Sequence, residues 1–242
     1  EDPSRGSNIQ SYGASIASFM ERIDSRMTQL SVSILPKATK QALDTLARQP
    51  WLRRSHWYLA GGTALAMQLH HRRSVDLDFF STRVAFSIGT LMNHLGGLEW
   101  ETDVAHEGTV YGRLHRAKVS FIAYPFFIPQ ESMKEYGFVK VLAARDIAVM
   151  KVVAISQRGR KRDFIDLYCY VKQIEPLIDV LRRLPRQYPT VAHDYHHILK
   201  SLLYFADAED DAMPRMSATV SWGMVKTFFR KEVANAMREL IL

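Results

Sequence analysis

The fold is constrained most by residues 58–81, which read YLAGGTALAMQLHHRRSVDLDFFS. The pattern predicts an apolar strand, a glycine turn, a short helix, a basic turn and a second strand. The helix opens directly after Gly61-Gly62-Thr63. Backbone N–H groups at its N-terminus are therefore free to hold a phosphate.

Two acids stand in the second strand of this stretch. Asp76 and Asp78 flank Leu77, and strand side chains alternate, so both carboxylates face one side while Leu77 and Phe79 face the core. Two like charges side by side raise a pKa unless a cation lies between them. Hard oxygen ligands that meet a nucleotide's phosphates suit Mg²⁺. The stretch therefore predicts a nucleotide site with a phosphate cradle and a metal-binding acidic pair.

Composition limits the class of protein. A chain of 242 residues with 47% hydrophobic residues is long and apolar enough to fold as one or two globular domains. The only cysteine, Cys169, excludes an internal disulfide framework and fits a reducing, cytoplasmic compartment. The sequence lacks an apolar run of about 18 residues, so we expect no membrane span. The net charge of +7 favours polyanionic partners such as nucleic acid.

The rest of the chain divides into a mixed first part and a helical second part. We expect residues 1–12 to be disordered or derived from an expression vector, and residues 13–31 to be helical. The first part then predicts helices at 37–49 and 86–95, and strands at 99–105, 108–115, 117–124 and 137–142. The second part predicts helices at 146–157, 161–173, 175–184, 192–206 and 221–241. We therefore predict an α+β head at 13–142 and a helical C-terminal domain at 143–242.

A single lysine lies within an apolar helix, DIAVMKVVAI, at residues 146–155. A helix that is apolar on all sides is buried, and a buried ammonium needs a partner. A nucleotide triphosphate is one partner for Lys151; alternatively, its head reaches the surface along the aliphatic stem. Asp146 is well placed as a helix N-cap.

A basic loop leads into the next helix at RGRKRDFIDLYCY, residues 158–170. Apolar residues from Phe164 to Val171 repeat at helical spacing and predict the buried stripe. The charged residues that we expect to project from the first turns are Lys161, Arg162, Asp163 and Asp166. A solvated helix start would look the same, but beside a nucleotide cradle the cluster indicates function. The acidic segment Asp207–Asp211 either docks against the basic clusters or faces solvent.

Three blocks, taken in order, resemble the AbiEii/AbiGii toxin family of nucleotidyltransferases, which belongs to the DNA-polymerase-β-like superfamily. The blocks are GGT…DLDFF, D-x4-K in an apolar helix, and R-x2-KRDF-x-DLY. The resemblance covers about residues 35–240. It implies a polymerase-β-like nucleotidyltransferase head with a mixed sheet and flanking helices, followed by a helical C-terminal domain that completes the active site.

The resemblance also implies a function and residue roles. Family members act as toxins of toxin–antitoxin or phage-defence systems, and some relatives add nucleotides to the 3′ end of tRNA. The implied partners are an NTP, an RNA acceptor and a cognate antitoxin. By match, Gly61, Gly62 and Thr63 hold phosphate, Asp76 and Asp78 bind Mg²⁺ or Mn²⁺, Lys151 contacts the triphosphate, and Arg158, Lys161 and Asp163 form the late motif. In that motif Arg158 and Lys161 are candidate nucleotide-binding residues, and the acid is a candidate base or metal partner.

One departure from the superfamily pattern concerns a third metal-binding carboxylate on a later strand. The corresponding strand is KVSFI, residues 118–122, and its inward position is Ser120. A serine replaces a carboxylate neither as an anionic ligand nor as a base. Either Asp163 takes over this role, or the chemistry is weakened or altered.

Three other functions compete with transfer to RNA. The acceptor hydroxyl could belong to a Ser, Thr or Tyr of a partner protein. A D-x-D pair also holds metal and sugar nucleotide in some glycosyltransferases, although the glycine turn and the late basic block have no role there. Because Ser120 stands where an acid is expected, the fold could instead bind nucleotide or RNA without catalysis.

Overall fold

The computed structural model describes residues 30–241. The predicted tail at 1–12 and residues 13–29 of the first predicted helix therefore lie outside the described part, and residues 30 and 31 are not helical. The helices are α1 (Lys37–Ala47), α2 (Pro50–Arg53), α3 (Gly61–Leu69), α4 (Ile88–Leu95), α5 (Ala144–Arg158), α6 (Lys161–Gln173), α7 (Leu177–Arg182), α8 (Leu184–Gln187), α9 (Tyr195–Ser201), α10 (Ala206–Glu209) and α11 (Trp222–Leu240). The strands are β1 (Tyr58–Ala60), β2 (Leu77–Ser81), β3 (Trp100–His106), β4 (Thr109–Leu114), β5 (Ala117–Ala123), β6 (Lys134–Tyr136) and β7 (Val139–Val141).

The strands form one mixed sheet in the order β3-β4-β5-β2-β1-β7-β6. The pairs β2–β5 and β1–β7 are parallel, and the other neighbours are antiparallel. The α+β class and the mixed sheet with flanking helices are therefore confirmed. The catalytic elements predicted from residues 58–81 lie at the centre of this sheet, on β1, α3 and β2.

The two faces of the central strands have different chemistry because side chains alternate. On one face Leu77, Phe79 and Phe121 are buried, and the Phe79 and Phe121 rings stack with centroids 5.1 Å apart. Trp57 meets the Phe121 ring edge-on at 5.1 Å and extends this core. Asp78 lies on the opposite face, as the alternation predicted.

The second part of the chain is helical, as predicted. Helix α5 ends at Gly159, whose φ of 51° turns the chain before α6 begins at Lys161. Buried Phe164 on α6 packs against the rings of Phe205, Trp222 and Phe229. Within residues 30–241, no helix is both long and apolar enough to cross a membrane.

Several local predictions differ from the structure. The single strand expected at 137–142 is a hairpin of β6 and β7, and the helix expected at 192–206 ends at Ser201. Asp146 is not the N-cap of α5, since Ala143 holds that position. Its carboxylate instead accepts the backbone N–H groups of Gln130 and Glu131 at 3.0 and 3.1 Å. One continuous apolar core joins both parts of the chain, so the division at 142/143 stays a prediction.

Candidate active site

The two glycines of the turn lie against side chains of the site. Gly61 has a φ of 69°, and a Cβ there would lie 2.9 Å from Asp78 Oδ2. A Cβ on Gly62 would lie 2.3 Å from the Nη2 atom of Arg72. Helix α3 begins at this turn without a side-chain cap, so its first N–H groups remain available to a ligand.

Thr63 does not have the position that its predicted role requires. Its side chain is buried, and the hydroxyl donates to the backbone carbonyl of Asp76. The cavity beside the turn is lined by Gly61 and Gly62 but not by Thr63. Thr63 therefore fixes the start of β2, because its hydroxyl is already committed to that strand.

Asp76 and Asp78 face the same cavity, as the alternation predicted. Burial raises the pKa of Asp78, the hydrogen bond from Ser120 partly offsets this rise, and the nearby charge of Asp76 adds to it. Arg162 Nη1 lies 3.6 Å from Asp76 Oδ2 and is a half-exposed cation at the mouth of the cavity. The surrounding side chains therefore do not fully neutralise the negative charge of Asp76 and Asp78.

Ser120 occupies the predicted inward position on β5. It lies opposite Asp78 in the parallel β2–β5 register, and its hydroxyl donates to Asp78 Oδ1 at 2.8 Å. Among residues 30–241, no group of three or more His, Cys, Asp or Glu side chains is arranged to hold a metal ion. The expectation that Asp163 completes the Asp76–Asp78 pair is therefore corrected.

Lys151 is buried, and its partners are two carboxylates of the chain itself. Its Nζ lies 2.7 Å from Asp163 Oδ1 and 2.7 Å from Asp166 Oδ2. Burial lowers the pKa of Lys151, but the charges of Asp163 and Asp166 outweigh it and raise that pKa above its ordinary value. The ammonium is thus neutralised without a triphosphate, although Lys151 still lines the cavity.

Asp163 is fully buried behind Lys151 instead of projecting from α6. One oxygen accepts from Lys151, and Arg158 Nε donates to the other at 3.2 Å. Burial raises the pKa of Asp163, but the charges of Lys151 and Arg158 outweigh it and hold that pKa below its ordinary value. Because both oxygens are already paired, Asp163 orients Lys151 and Arg158 from beneath the cavity.

Asp166 connects α6 to the glycine turn. The Arg72 guanidinium binds its carboxylate through two nitrogens at 2.6 and 2.9 Å, and His71 Nε2 lies 2.8 Å from it. Burial opposes ionisation, but the charges of Lys151 and Arg72 hold the pKa of Asp166 well below its ordinary value. Arg72 in turn lies against Gly62. Asp166 therefore fixes a guanidinium at the edge of the predicted phosphate cradle.

The basic loop before α6 divides into exposed and buried members. The side chains of Arg158 and Arg162 are about half exposed and line the cavity. Lys161, predicted to bind nucleotide, is buried away from it, and its Nζ donates to the carbonyls of Glu209 and Asp211. That prediction is wrong because a segment about 50 residues later supplies carbonyl partners that the local pattern does not reveal.

The acidic segment docks against this loop, which was one of the two alternatives left open. Asp211 accepts the backbone N–H of Lys161 at 3.0 Å and binds Arg160 Nη2 at 2.8 Å. Asp211 therefore caps the start of α6, whose first-turn N–H groups favour negative charge.

The cavity has a volume of about 350 Å³, within the range of small-molecule sites. Part of its lining is polar and comprises the glycine turn, the two acids and the cations. The apolar part comprises Phe80, Ile122, Tyr124, Ile147 and Met150. A ligand with a charged phosphate end and a flat apolar end matches this division.

Comparison with known proteins identifies the family of this chain. The family described as "Nucleotidyl transferase AbiEii toxin, Type IV TA system" matches residues 42–106 and 110–230. The chain belongs to this family. An uncharacterized protein of Aquifex aeolicus strain VF5 is 34% identical over 184 residues, which cover 73% of this chain and 86% of that relative.

A solved structure supports the fold of this AbiEii-family protein. MenT4, a nucleotidyltransferase toxin of Mycobacterium tuberculosis H37Rv, superposes with a TM-score of 0.53 at 17% identity and covers 82% of each chain. At that identity the likeness shows the fold alone. Together with the family match, it makes the protein a toxin-type nucleotidyltransferase, an enzyme class that generally uses an NTP and a divalent metal.

The residues of this nucleotidyltransferase fit a divalent cation. Asp76 and Asp78 present carboxylate oxygens to one cavity, and the repulsion between them that contributes to the raised pKa of Asp78 would be relieved by a cation. Mg²⁺ is commonly held by one or two carboxylates together with substrate phosphates and water. Two protein carboxylates are therefore a sufficient protein contribution.

Sequence reasoning did not assign several polar cavity residues to the site, among them Arg72, Ser74, Tyr111 and Tyr124. Arg72 was visible only as a member of the basic turn. Arg72 follows the end of α3 by three residues and precedes Asp76 by four. A basic turn directly between a phosphate cradle and an acidic pair was the available signal.

Proposed function

We propose that this enzyme transfers NMP from an NTP to a hydroxyl of an RNA acceptor, such as the 3′ end of a tRNA, and releases pyrophosphate. We further propose that it acts in the cytoplasm as a toxin that a cognate antitoxin counters. One observation carries the proposal. A single cavity brings together the Gly61–Gly62 turn, the Asp76–Asp78 pair and four cations, Arg72, Lys151, Arg158 and Arg162.

The cations suit the phosphates of an NTP in different ways. The ammonium of Lys151 and the guanidinium of Arg72 are held by buried carboxylates, so they act as fixed charges. Arg158 is anchored to Asp163 through Nε while its side chain remains 54% exposed, so its outer nitrogens have no hydrogen-bond partner among residues 30–241 and can meet a phosphate oxygen. Fixed donors need little reorganisation during the reaction.

Asp76 and Asp78 are the residues that would hold Mg²⁺ or Mn²⁺. When bound, such an ion supplies charge neutralisation at the attacking and leaving oxygens of phosphoryl transfer. The protein orients Asp78 for this task through the Ser120 hydroxyl, which leaves Oδ2 directed towards the glycine turn.

The transfer balances as an in-line substitution at phosphorus. The acceptor hydroxyl oxygen forms a bond to the α-phosphorus, and the bond from that phosphorus to the oxygen bridging to the β-phosphorus breaks. Its electron pair leaves with pyrophosphate. The hydroxyl proton passes to a cavity carboxylate or to bulk water. It does not pass to Asp163, which is buried with both oxygens paired.

Charge at the mouth of the cavity favours RNA as the acceptor. A second depression adjoins the cavity through Arg158 and Arg162 and is completed by Arg160, Asp211 and Ala212. The three arginine side chains are each about half exposed. Arginines bind phosphates without reading sequence, so this depression suits backbone phosphates of the acceptor upstream of its terminal nucleotide. A protein Ser, Thr or Tyr remains the second candidate acceptor, since the transfer chemistry is the same.

The test incubates the purified protein with each labelled NTP, Mg²⁺ and total tRNA, and separates RNA from protein products. We expect label in RNA, pyrophosphate release, and loss of both in Asp76→Asn. Binding to the acceptor should weaken steeply with salt, because phosphate contacts release counterions.

Three outcomes would contradict parts of the proposal. Label that survives RNase and migrates with protein would replace RNA by a protein acceptor. Wild-type incorporation by Asp76→Asn would remove the metal assignment. Equal activity in the presence of EDTA would exclude the divalent ion altogether.

A further inference from the structure

The sheet continues beyond the two acids as an open surface. Asp78 on β2 pairs with Ser120 on β5, and Ser120 pairs with Tyr111 on β4. Directly paired residues point to the same face of a sheet. Asp78, Ser120 and Tyr111 therefore form one row across three strands, with the aromatic ring at its outer end.

Tyr111 is placed to meet a ligand in the cavity. Its side chain lines the cavity and is 43% exposed, although its neighbours Val110 and Gly112 face the buried side of the sheet. No part of the proposed transfer uses this ring. An exposed aromatic ring at the edge of a site can stack on a base.

Exposed Lys118 lies on the same face as Tyr111. It precedes Ser120 by two residues on β5, so both side chains point to the same side of the strand. Arg113 on β4 is also on this face, but it is already bound to Asp103 at 3.0 Å. Acidic side chains on β3 would repel an RNA phosphate, so the candidate RNA-binding surface comprises β4 and β5. On these two strands the available positive charge is supplied by Lys118.

The phosphate end of the cavity lies on the opposite side of Asp78. Gly61 and Gly62 follow β1, and Lys151 and Arg158 belong to α5, whereas Tyr111 lies two strands away from β2 in the other direction. An NTP whose phosphates lie against the glycine turn thus leaves the β4–β5 side open. An acceptor must approach the α-phosphorus from a side that the leaving pyrophosphate does not occupy.

We infer that the exposed face of β4 and β5 receives the terminal nucleotide of the acceptor RNA. Tyr111 stacks on its base, and Lys118 contacts a backbone phosphate. This inference rests on the proposed transfer to RNA. Single-stranded ends are bound by aromatic rings that stack on unpaired bases, combined with cations along the backbone.

The test measures steady-state transfer to total tRNA by Tyr111→Ala, Tyr111→Phe and Lys118→Glu. We expect Tyr111→Ala to raise KM for RNA about 10-fold or more, in line with one lost base–aromatic stack. Tyr111→Phe keeps the ring and should stay within about twofold of wild type. Lys118→Glu should raise KM for RNA and weaken its dependence on salt.

Two controls separate binding of the acceptor from other effects. Binding of Mg-NTP, measured calorimetrically without RNA, should be unchanged in all three variants. Lys172→Glu makes the same charge change at the far end of α6, where the side chain is exposed, and it should leave KM for RNA unchanged.

The outcomes distinguish this inference from the function on which it rests. If the wild type labels RNA but Tyr111→Ala retains the wild-type KM, the surface is wrong while the proposed function stands. If Tyr111→Ala loses Mg-NTP affinity, the ring belongs to the nucleotide and the inference is overturned. If the wild type labels only protein, the proposed RNA acceptor fails and this inference fails with it.

Discussion

Two pairs of aspartates lie at this site in opposite electrostatic environments. Asp76 and Asp78 face the cavity, and burial together with mutual repulsion raises the pKa of Asp78. Asp163 and Asp166 are fully buried, yet neighbouring cations hold both of their pKa values below the ordinary range. Nearby cations do not fully neutralise the carboxylates of the first pair, whereas those of the second pair are neutralised by cationic side chains of the chain itself.

This difference assigns the two pairs different tasks. Lys151 and Arg72 are shared with the buried pair, which makes that pair a scaffold that positions cations. Among residues 30–241, the cavity pair has one ion pair, from the half-exposed Arg162 to Asp76 at 3.6 Å, and the charges of Lys151 and Arg162 only partly offset the rise in the pKa of Asp78. The cavity pair is therefore the one that we propose for an external cation. Predictions that change one pair at a time test this division.

The largest expected effect follows substitution of the cavity pair. Asp78→Asn removes a charge from the proposed metal site, and we expect nucleotide transfer to fall more than about 10³-fold, equivalent to about 4 kcal/mol in activation free energy. The amide oxygen can still accept the Ser120 hydrogen bond. Product formation from labelled NTP measures the loss.

Stability provides the control for this variant. Because the ionised form of Asp78 is disfavoured by burial and by Asp76, its removal should leave the melting temperature of the metal-free protein unchanged or slightly higher. A marked fall in melting temperature would mean that Asp78 belongs to the scaffold, and the contrast between the pairs would be lost.

Substitution of the buried pair should instead act on folding. Asp166→Asn leaves Arg72 and Lys151 with too little negative charge in a buried place, and breaking such a network typically costs about 3–5 kcal/mol. Denaturant unfolding at pH 7 measures the change. If the variant is as stable as the wild type but inactive, Asp166 serves the reaction and is not structural.

The sequence could predict much of this arrangement because its signals are local. Alternation placed Asp76 and Asp78 on one face and Ser120 opposite them, and the helical period predicted the bounds 161–173 of α6 exactly as observed. The all-apolar surroundings of Lys151 correctly predicted its burial. Each of these inferences needed only residues within one element or two neighbouring strands.

The partners of the buried charges could not be predicted in this way. A charged residue opposite an apolar stripe ordinarily faces solvent, which is why Asp163 and Asp166 were expected to project. Asp166 is buried because Arg72, 94 residues earlier in the chain, neutralises it. Lys161 likewise finds its carbonyl partners about 50 residues later. Such contacts depend on tertiary structure and leave no trace in local spacing.

Acid should remove the stability that the buried pair provides. The folded-state pKa of Asp166 lies well below its ordinary value. Its contribution is therefore present above about pH 4 and is lost as pH falls below this value towards the folded-state pKa. We expect the unfolding free energy of the wild type to fall more steeply between about pH 4 and pH 2 than that of Asp166→Asn. Parallel curves would show that Asp166 does not contribute through its charge.

The smallest expected effect distinguishes two neighbours in the basic loop. Lys161→Met keeps the aliphatic stem but removes charged hydrogen bonds to the carbonyls of Glu209 and Asp211. We expect a stability loss of about 1–3 kcal/mol and unchanged affinity for Mg-NTP. Arg158→Met should do the reverse, because its half-exposed guanidinium lines the cavity while Asp163 keeps Lys151 as a partner. Calorimetric binding and thermal melting of both variants provide the comparison.

If Lys161→Met weakens nucleotide binding more than Arg158→Met does, the buried lysine acts on the ligand through the start of α6. The separation between scaffold and cavity is then less strict than the contacts imply.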